Sequence, residues 1–195
     1  MQEMAKQTAV QDSLIDLLRS PEGLPRAFDE LVESYGERLY WHIRRIVVMH
    51  EDAEDALQEA FVTAYTSIDS FRGECVGSLT AWLYKIATTS AIKALKRRRK
   101  GIFSTLDSLR GELLSDYESE VLPDADEIVV RLQRAVLGLP MKQKMVFNLR
   151  YYDELSFDEI SRITGDSVST LKTNYHYAVK KVREQVSIVG VEDKI

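Results

Sequence analysis

The chain has 195 residues, 45% of them hydrophobic and 29% charged, a composition typical of a folded protein rather than a disordered one. Its single cysteine excludes a disulfide framework and indicates a reducing, cytoplasmic environment. No stretch reaches the roughly 20 apolar residues that a membrane span needs. The net charge of −5 argues against a protein that binds DNA alone, because phosphate neutralisation supplies most non-specific affinity.

Residues 1–25 form an N-terminal extension. A short amphipathic helix is predicted from Val10, Leu14, Leu17 and Leu18, with a cap at Asp12 or Ser13 and an end at Pro21, Gly23 and Pro25. The pattern assigns this segment no function.

Residues 26–100 predict a domain of three helices. Apolar residues recur with the helical period along 26–47, 53–68 and 79–95, and the glycine-marked loop 69–78 precedes the third helix. Three helices of this length can enclose one core. The third helix runs into a dense cationic run at residues 93–100, which we call the basic block.

Residues 101–126 are predicted to form a flexible acidic linker. Between positions 101 and 127 one basic residue, Arg110, stands against eight acidic residues. The irregular apolar spacing and the Ser, Asp and Glu content argue against a packed element. The overall charge therefore hides a basic block, an acidic linker and a mildly basic C-terminal unit.

Residues 127–187 predict a second domain of four helices, followed by a tail at 188–195. The last two helices form a hairpin, broken at Gly165-Asp166, with Ser167 as the N-cap of the longer helix. No β-strand is recognised, so the predicted fold class is all-α: a three-helix and a four-helix domain joined by the linker.

The helix after Ser167 has a buried stripe and an opposite face without carboxylates. The stripe comprises Val168, Leu171, Tyr175, Ala178, Val179, Val182 and Val186. The opposite face carries Ser169, Thr170, Lys172, Thr173, Asn174, His176, Tyr177, Lys180 and Lys181. A helix with such a face after a sharp turn fits a DNA major groove. The residues of this stretch alone leave a second interpretation open, an αα-hairpin with a solvated polar face.

The basic block suggests a second nucleic-acid site, because it ends a helix that also carries Trp82 and follows a loop with Phe71 and Arg72. Exposed bases stack on aromatic rings while cations hold phosphates. The alternative is that Trp82 belongs to the core and that the helix dipole favours the cations.

No catalytic constellation is recognised. The histidines, His42, His50 and His176, lie in three separate elements, and none pairs with Cys75 at a metal-like spacing. There is no glycine-rich phosphate loop. We therefore expect no enzymatic activity, no catalytic residue, no cofactor and no metal.

The chain resembles a known family in two segments. Ala53-Glu-Asp-Ala-Leu-Gln-Glu-Ala-Phe61, Phe71-Arg-Gly, Ala81-Trp-Leu-Tyr-Lys-Ile-Ala87 and the basic block closely resemble region 2 of bacterial sigma factors of the extracytoplasmic-function (ECF) group. Leu139-Pro, Leu155-Ser-Phe-Asp-Glu-Ile and Ser167 through His176 resemble their region 4. The resemblance implies a cytoplasmic promoter-recognition subunit that directs RNA polymerase.

The resemblance also implies partners and site residues. Core polymerase would be contacted through its β′ clamp helices and β flap, the former by Asp52, Asp55, Gln58, Glu59 and Phe61. The −10 element of promoter DNA would be read by Phe71, Arg72, Thr88, Thr89, Lys93, Lys96, Arg97 and Arg98. The −35 element would be read by Ser169, Thr170, Lys172, Thr173, Asn174, His176, Tyr177 and Lys180. An anti-sigma factor is a further partner that the family allows.

Departures from the family pattern limit what can be carried over. Thr89 and Lys93 replace residues common at the −10 face, and Asn174 and Tyr177 stand where many relatives have arginines. The promoter sequence is therefore not transferable. Three alternatives stay open: a stand-alone helix-turn-helix regulator, a sigma-like mimic that sequesters an anti-sigma factor, and an unrelated helical scaffold.

Overall fold

The computed structural model describes residues 14–73, 75–99 and 127–187, and these residues form helices without any strand. The predicted all-α class is therefore confirmed. The predicted cap at Asp12 or Ser13, the acidic linker 101–126 and the tail 188–195 lie outside the described residues. Arg98 lies within a described helix, but its side chain does not belong to the described part of the chain.

The N-terminal domain is built from four helical segments. They are α1 (residues 14–18), α2 (Leu24–Val47), α3 (His50–Thr66) and α4 (Val76–Arg99), with a 3₁₀ turn at Ile68–Ser70. Pro25 lies in the first turn of α2, where its fixed φ angle and missing N–H are tolerated. It therefore begins α2 instead of ending the preceding segment. Val48, at a φ of +73°, separates α2 from α3.

The described end of the predicted N-terminal extension belongs to this domain. Leu14, Ile15 and Leu18 are each at most 4% exposed and join the core formed by α2, α3 and α4. Apolar burial of this kind stabilises by roughly 25 cal/mol per Å². Residues 14–25 are thus structurally continuous with the domain that was predicted to start at Arg26.

The C-terminal domain contains α5 (Glu127–Leu137), α6 (Met141–Phe147), α7 (Phe157–Thr164) and α8 (Val168–Ser187). The chain continues from α6 into a π-helical turn at Asn148–Tyr152. A core forms between α5, α6 and α8 from Ala135, Val136, Leu139, Phe147, Ala178, Val182 and Val186. The buried stripe predicted for α8 is present, with Leu171, Ala178, Val182 and Val186 buried.

The two domains pack against each other, which the sequence did not predict. Helix α7 lies against α4, and buried residues of both domains, among them Ile160 and Leu79, belong to one apolar cluster. A polar contact accompanies it: the Asp153 carboxylate accepts hydrogen bonds from His42 Nδ1 and Arg45 Nη1, both at 3.0 Å. The Arg45 guanidinium also lies 4.4 Å from the centre of the Tyr152 ring.

Candidate nucleic-acid interface

The turn between α7 and α8 is fixed at both of its ends. Helix α7 begins with a capping box, in which Ser156 Oγ accepts from the Glu159 N–H and the Glu159 carboxylate accepts from the Ser156 N–H. It ends at Gly165, whose φ of +77° is the left-handed conformation that glycine adopts without a Cβ penalty. Ser167 Oγ then accepts from the Thr170 N–H at 3.2 Å and caps α8. The predicted helix-turn-helix is present.

The polar face predicted for α8 is exposed. Ser169, Thr170, Lys172, Thr173, His176, Tyr177 and Lys180 are exposed, and Asn174 is half-buried. The rings of His176 and Tyr177 lie 5.8 Å apart, centre to centre. Lys172 Nζ is 6.0 Å from the centre of the Phe157 ring on α7. The face therefore offers hydroxyls, an amide, two cations and two rings, groups that can contact base edges and phosphates.

Lys181 is oriented differently from its neighbour Lys180. Its Nζ donates to Gln143 Oε1 at 3.1 Å, which directs the side chain toward α6. Of these two adjacent lysines, Lys181 is therefore the one whose side chain contacts α6.

Helix α4 and helix α3 enclose a shallow groove of about 240 Å³. It is lined by Thr63, Trp82, Lys85, Ile86, Thr89, Ser90 and Lys93. Thr89 and Lys93 were predicted as −10 ligands, whereas Thr63, Lys85, Ile86 and Ser90 were not. The signal for the α4 members was present in the spacing of positions 82, 85, 86, 89 and 93, which follow one side of a helix.

Thr88 does not belong to this exposed surface. It is 9% exposed, and its hydroxyl lies 2.8 Å from Nε2 of the fully buried His42. Position 88 faces α2, about one hundred degrees around the helix from Thr89. The structure therefore places Thr88 in the core, away from the groove residues Thr89 and Lys93, and its role as a DNA ligand stays a prediction.

The loop before α4 holds its two predicted ligands in different settings. Phe71 is 7% exposed, and its ring centre lies 5.3 Å from that of Trp82. Arg72 is exposed and donates to the carbonyl of Asp69. Only Arg72 of this pair is available on the surface, while Phe71 connects the loop to α4.

The predicted polymerase-binding face of α3 has exposed Asp55 and Gln58, with Asp52 and Phe61 half-buried. The Phe61 ring packs edge-on against Phe28 at 6.1 Å. These side chains lie along α3 as predicted, which leaves the function of the face a prediction.

Glu59 makes intramolecular contacts with two predicted DNA ligands. Its carboxylate accepts from Arg97 Nη1 at 2.8 Å and lies 3.6 Å from Lys93 Nζ. The hydrogen bond from Arg97 is the main reason that the pKa of Glu59 is lowered, and the nearby charges of Arg97 and Lys93 act in the same direction. Glu59 therefore lies between the predicted polymerase face and the predicted DNA face.

Among the described residues no group of three or more His, Cys, Asp or Glu side chains is placed to hold a metal ion. The same part of the chain contains no helix that is long and apolar enough to span a membrane.

A helical domain with a grooved cationic surface and a second helical domain with an exposed recognition helix define a two-domain DNA-binding protein of the helix-turn-helix class. The sequence matches two family models in the same order, Sigma-70 region 2 over residues 31–101 and Sigma-70, region 4 over residues 130–182. The chain belongs to the sigma-70 family and is an RNA polymerase sigma factor of the ECF group.

Several relatives support this assignment. The ECF RNA polymerase sigma factor SigW of Bacillus subtilis is 33% identical over 169 residues, which cover 82% of this chain and 89% of that protein. The ECF RNA polymerase sigma-E factor of Escherichia coli K12 is 30% identical over 179 residues, which cover 86% and 91%.

Two solved structures share the fold. The sigma factor RpoE from Bartonella quintana, in complex with the anti-sigma factor NepR, has a TM-score of 0.64 at 17% identity and covers 84% of this chain and 98% of its own. CnrH in complex with the cytosolic domain of CnrY has the same TM-score at 19% identity and covers 92% and 99%.

Proposed function

We propose that this chain acts in the cytoplasm as a non-catalytic specificity subunit, which binds core RNA polymerase and directs it to promoters with a −10 and a −35 element. The observation that carries the proposal is that the two helical domains match Sigma-70 region 2 and region 4 in the family's order. With a net charge of −5, the chain as a whole has little general electrostatic attraction for DNA. Polymerase supplies the missing affinity by holding both domains on one DNA.

We assign the −35 element to α8. Its exposed face from Ser169 to Lys181 has no carboxylate, and its N-terminal residues follow the tight turn at Gly165, as in helices that enter a major groove. Asn174 can pair bidentately with adenine, a contact that discriminates by about 1–3 kcal/mol against a wrong base. Lys172 and Lys180 are exposed and can contact phosphates.

We assign the −10 element to the groove between α3 and α4 and the loop before it. Thr89 and Lys93 line the groove with Trp82, and Arg72 is exposed on the adjoining loop. Exposed Lys96 and Arg97 follow on α4, with Arg98 beyond them in the sequence, and can hold the phosphates of an opened strand. Phe71 supports this surface from beneath through its contact with Trp82.

We assign polymerase docking to the exposed part of α3, with Asp55 and Gln58 as contacting residues on the β′ clamp helices. Glu59 has a second role within the chain, because its carboxylate holds Arg97 and Lys93. When DNA phosphates replace that carboxylate, Glu59 becomes available to polymerase. Docking and DNA capture would then assist each other through one side chain.

The compact arrangement has to open for this function. A helical domain of about 75 residues is on the order of 30 Å across, so two domains in contact cannot reach sites about 70 Å apart, the span of two turns of duplex. The linker 101–126 has the required reach, on the order of 85 Å at about 3.3 Å per residue. An anti-sigma factor is a further proposed partner, since the similar sigma factor RpoE from Bartonella quintana was solved in complex with the anti-sigma factor NepR.

Paired variants test the surface assignments in complexes with core polymerase. Asp55→Ala combined with Gln58→Ala should weaken core binding at unchanged helicity, whereas replacing an exposed carboxylate of α2, in Glu33→Ala, should not. Unchanged affinity of the double variant would refute the docking surface.

The two neighbouring lysines of α8 test the recognition helix. Lys180→Ala should reduce −35-dependent transcription without changing core binding, while Lys181→Ala, whose ammonium contacts Gln143, should have little effect. Equal effects of the two substitutions would contradict the proposed orientation of α8 on DNA.

A further inference from the structure

The segment before the region 2 match makes a long-range contact with the loop that we assign to the −10 element. Arg19 directly follows α1, and its Nη2 donates to the carbonyl of Gly73 at 2.8 Å, across 54 residues of sequence. Arg19 itself is exposed and lies outside every assigned surface. The contact joins the described part of the N-terminal extension to the loop 71–73.

The segment that carries Arg19 is held firmly. Leu14, Ile15 and Leu18 are buried in the domain core. The turn after Arg19 is tight as well: the Gly23 N–H bonds to Ser20 Oγ at 3.0 Å, and a Cβ on Gly23 would lie 2.9 Å from the Leu17 carbonyl oxygen. Arg19 therefore starts from a fixed backbone, which lowers the entropic cost of its hydrogen bond.

The loop at the other end of the contact is enclosed by its neighbours. A Cβ on Gly73 would lie 2.4 Å from the Ser78 Cβ and 2.6 Å from the Phe71 ring. Position 73 therefore has no room for a side chain, so glycine is required there. Glycine also has the largest backbone freedom of any residue. A hydrogen bond to its carbonyl restrains the residue that side-chain packing cannot restrain.

A hollow of about 380 Å³ lies between the two segments. It is lined by Leu18, Arg19, Ile68, Asp69, Phe71 and Arg72. Arg72, the exposed −10 ligand of the loop, and Arg19 therefore border the same hollow. The position of Arg72 depends on the loop backbone, which Arg19 restrains through its hydrogen bond to Gly73.

We infer that Arg19 is a positioning residue for −10 recognition, which preorganises the loop 71–73 for the unpaired DNA strand through its hydrogen bond to Gly73. The inference rests on the proposed function of that loop. Sites that capture a flexible ligand gain affinity when the binding loop is ordered beforehand. It gives α1 and Arg19 a role in specificity that neither sequence pattern nor family match assigns.

The test uses the full chain bound to core polymerase and measures its affinity for a single-stranded oligonucleotide that carries the −10 element of a promoter selected by the wild-type complex. Arg19→Ala should weaken this binding about five- to ten-fold, while core affinity and the thermal midpoint stay unchanged. Arg26→Ala, an exposed arginine on α2, is the matched control and should bind like wild type.

The salt dependence of Arg19→Ala separates positioning from direct phosphate contact. Positioning predicts that the slope of log affinity against log salt is the same for Arg19→Ala and for the wild type. A phosphate contact predicts that this slope falls by about 0.7. That result, or wild-type binding by Arg19→Ala, overturns the inference. If the wild-type complex bound no −10 strand, the proposed function on which this inference rests would instead be overturned.

Discussion

Asp153 is the polar centre of the contact between the two domains, and replacing it should weaken that contact. Its side chain is 5% exposed and accepts hydrogen bonds from His42, which is fully buried, and from Arg45, which is 20% exposed. Because the Asp153 carboxylate accepts from His42 Nδ1, that nitrogen carries a proton, and His42 Nε2 is left to pair with the Thr88 hydroxyl. Asp153→Ala removes the shared acceptor of both domain-bridging donors.

The magnitude follows from the burial of the two donors. A buried N–H left without an acceptor costs about 1–3 kcal/mol, which applies to His42. Arg45 is partly solvated and can recover most of its bonding with water, so its loss is small. A total of about 2 kcal/mol shifts the balance between closed and separated domains roughly 30-fold toward separation.

Fluorescence energy transfer between the domains measures this balance. Cysteines at exposed Val62 and Glu184, in a chain carrying Cys75→Ser, provide label positions in α3 and α8. Asp153→Ala should lower the transfer efficiency, and Asp153→Asn, which keeps one acceptor, should fall between it and wild type. Glu154→Ala, an exposed carboxylate one residue away, should change little. Equal efficiencies in the wild type and Asp153→Ala would refute the stabilising role of this contact.

Three further predictions concern single side chains. Burial is the main reason that the pKa of Tyr84 is raised to about 12, above the ordinary value of about 10. The neutral phenol of Tyr84 therefore stabilises the fold fully below pH 10, and this stabilisation is lost as the pH rises toward 12. The free energy of unfolding of Tyr84→Phe should depend less steeply on pH in this range than that of the wild type. An identical pH dependence in the two proteins would contradict the burial of Tyr84. Neither amide atom of buried Asn148 has a partner among the described residues, so Asn148→Leu should raise the thermal midpoint, and a lower midpoint would show that the amide is paired. Gly165→Ala should lower the free energy of unfolding by about 1 kcal/mol because of the φ of +77°. A Cβ at this position would meet no neighbouring group within 4 Å, so backbone strain is the whole effect. A denaturant titration that gives the same free energy for both proteins would contradict this prediction.

The recognition helix could be predicted almost completely from the sequence. Its stripe of apolar residues and its carboxylate-free face follow one period, and local signals at Gly165 and Ser167 fix where it begins. Such features depend on neighbours in the chain, which is why a periodic pattern captures them.

Sequence patterns are least informative where a side chain's surroundings come from distant parts of the chain. Thr88 and Thr89 are equivalent by residue type, yet only packing against α2 places the Thr88 hydroxyl on His42. The apolar pattern of α4 predicts that one face of this helix is buried. The pattern does not predict that α7, from the other domain, covers part of that face. Likewise, the bond between Arg19 and Gly73 has no sequence signal, because its partners are 54 positions apart.

The role of Glu59 shows the same limit at the site itself. Its position on the exposed side of α3 predicts a surface carboxylate, which the structure places 2.8 Å from Arg97 on α4. The pairing of α3 with α4 is set by the core, not by the charged residues, since exposed ion pairs of this kind contribute about 1 kcal/mol or less. Residue type and period therefore predict where a charge lies along a helix, and the tertiary fold decides which charge it meets.

The most direct test of the whole account is run-off transcription with core polymerase over a promoter library. We expect this chain, bound to core polymerase, to select promoters with two sequence elements nearly two turns of duplex apart. Changing the length between the elements should abolish transcription, and the chain alone should select no promoter. Normal binding of the chain to core polymerase without selection of any promoter would contradict it, and so would selection of a single element by the chain in the absence of polymerase.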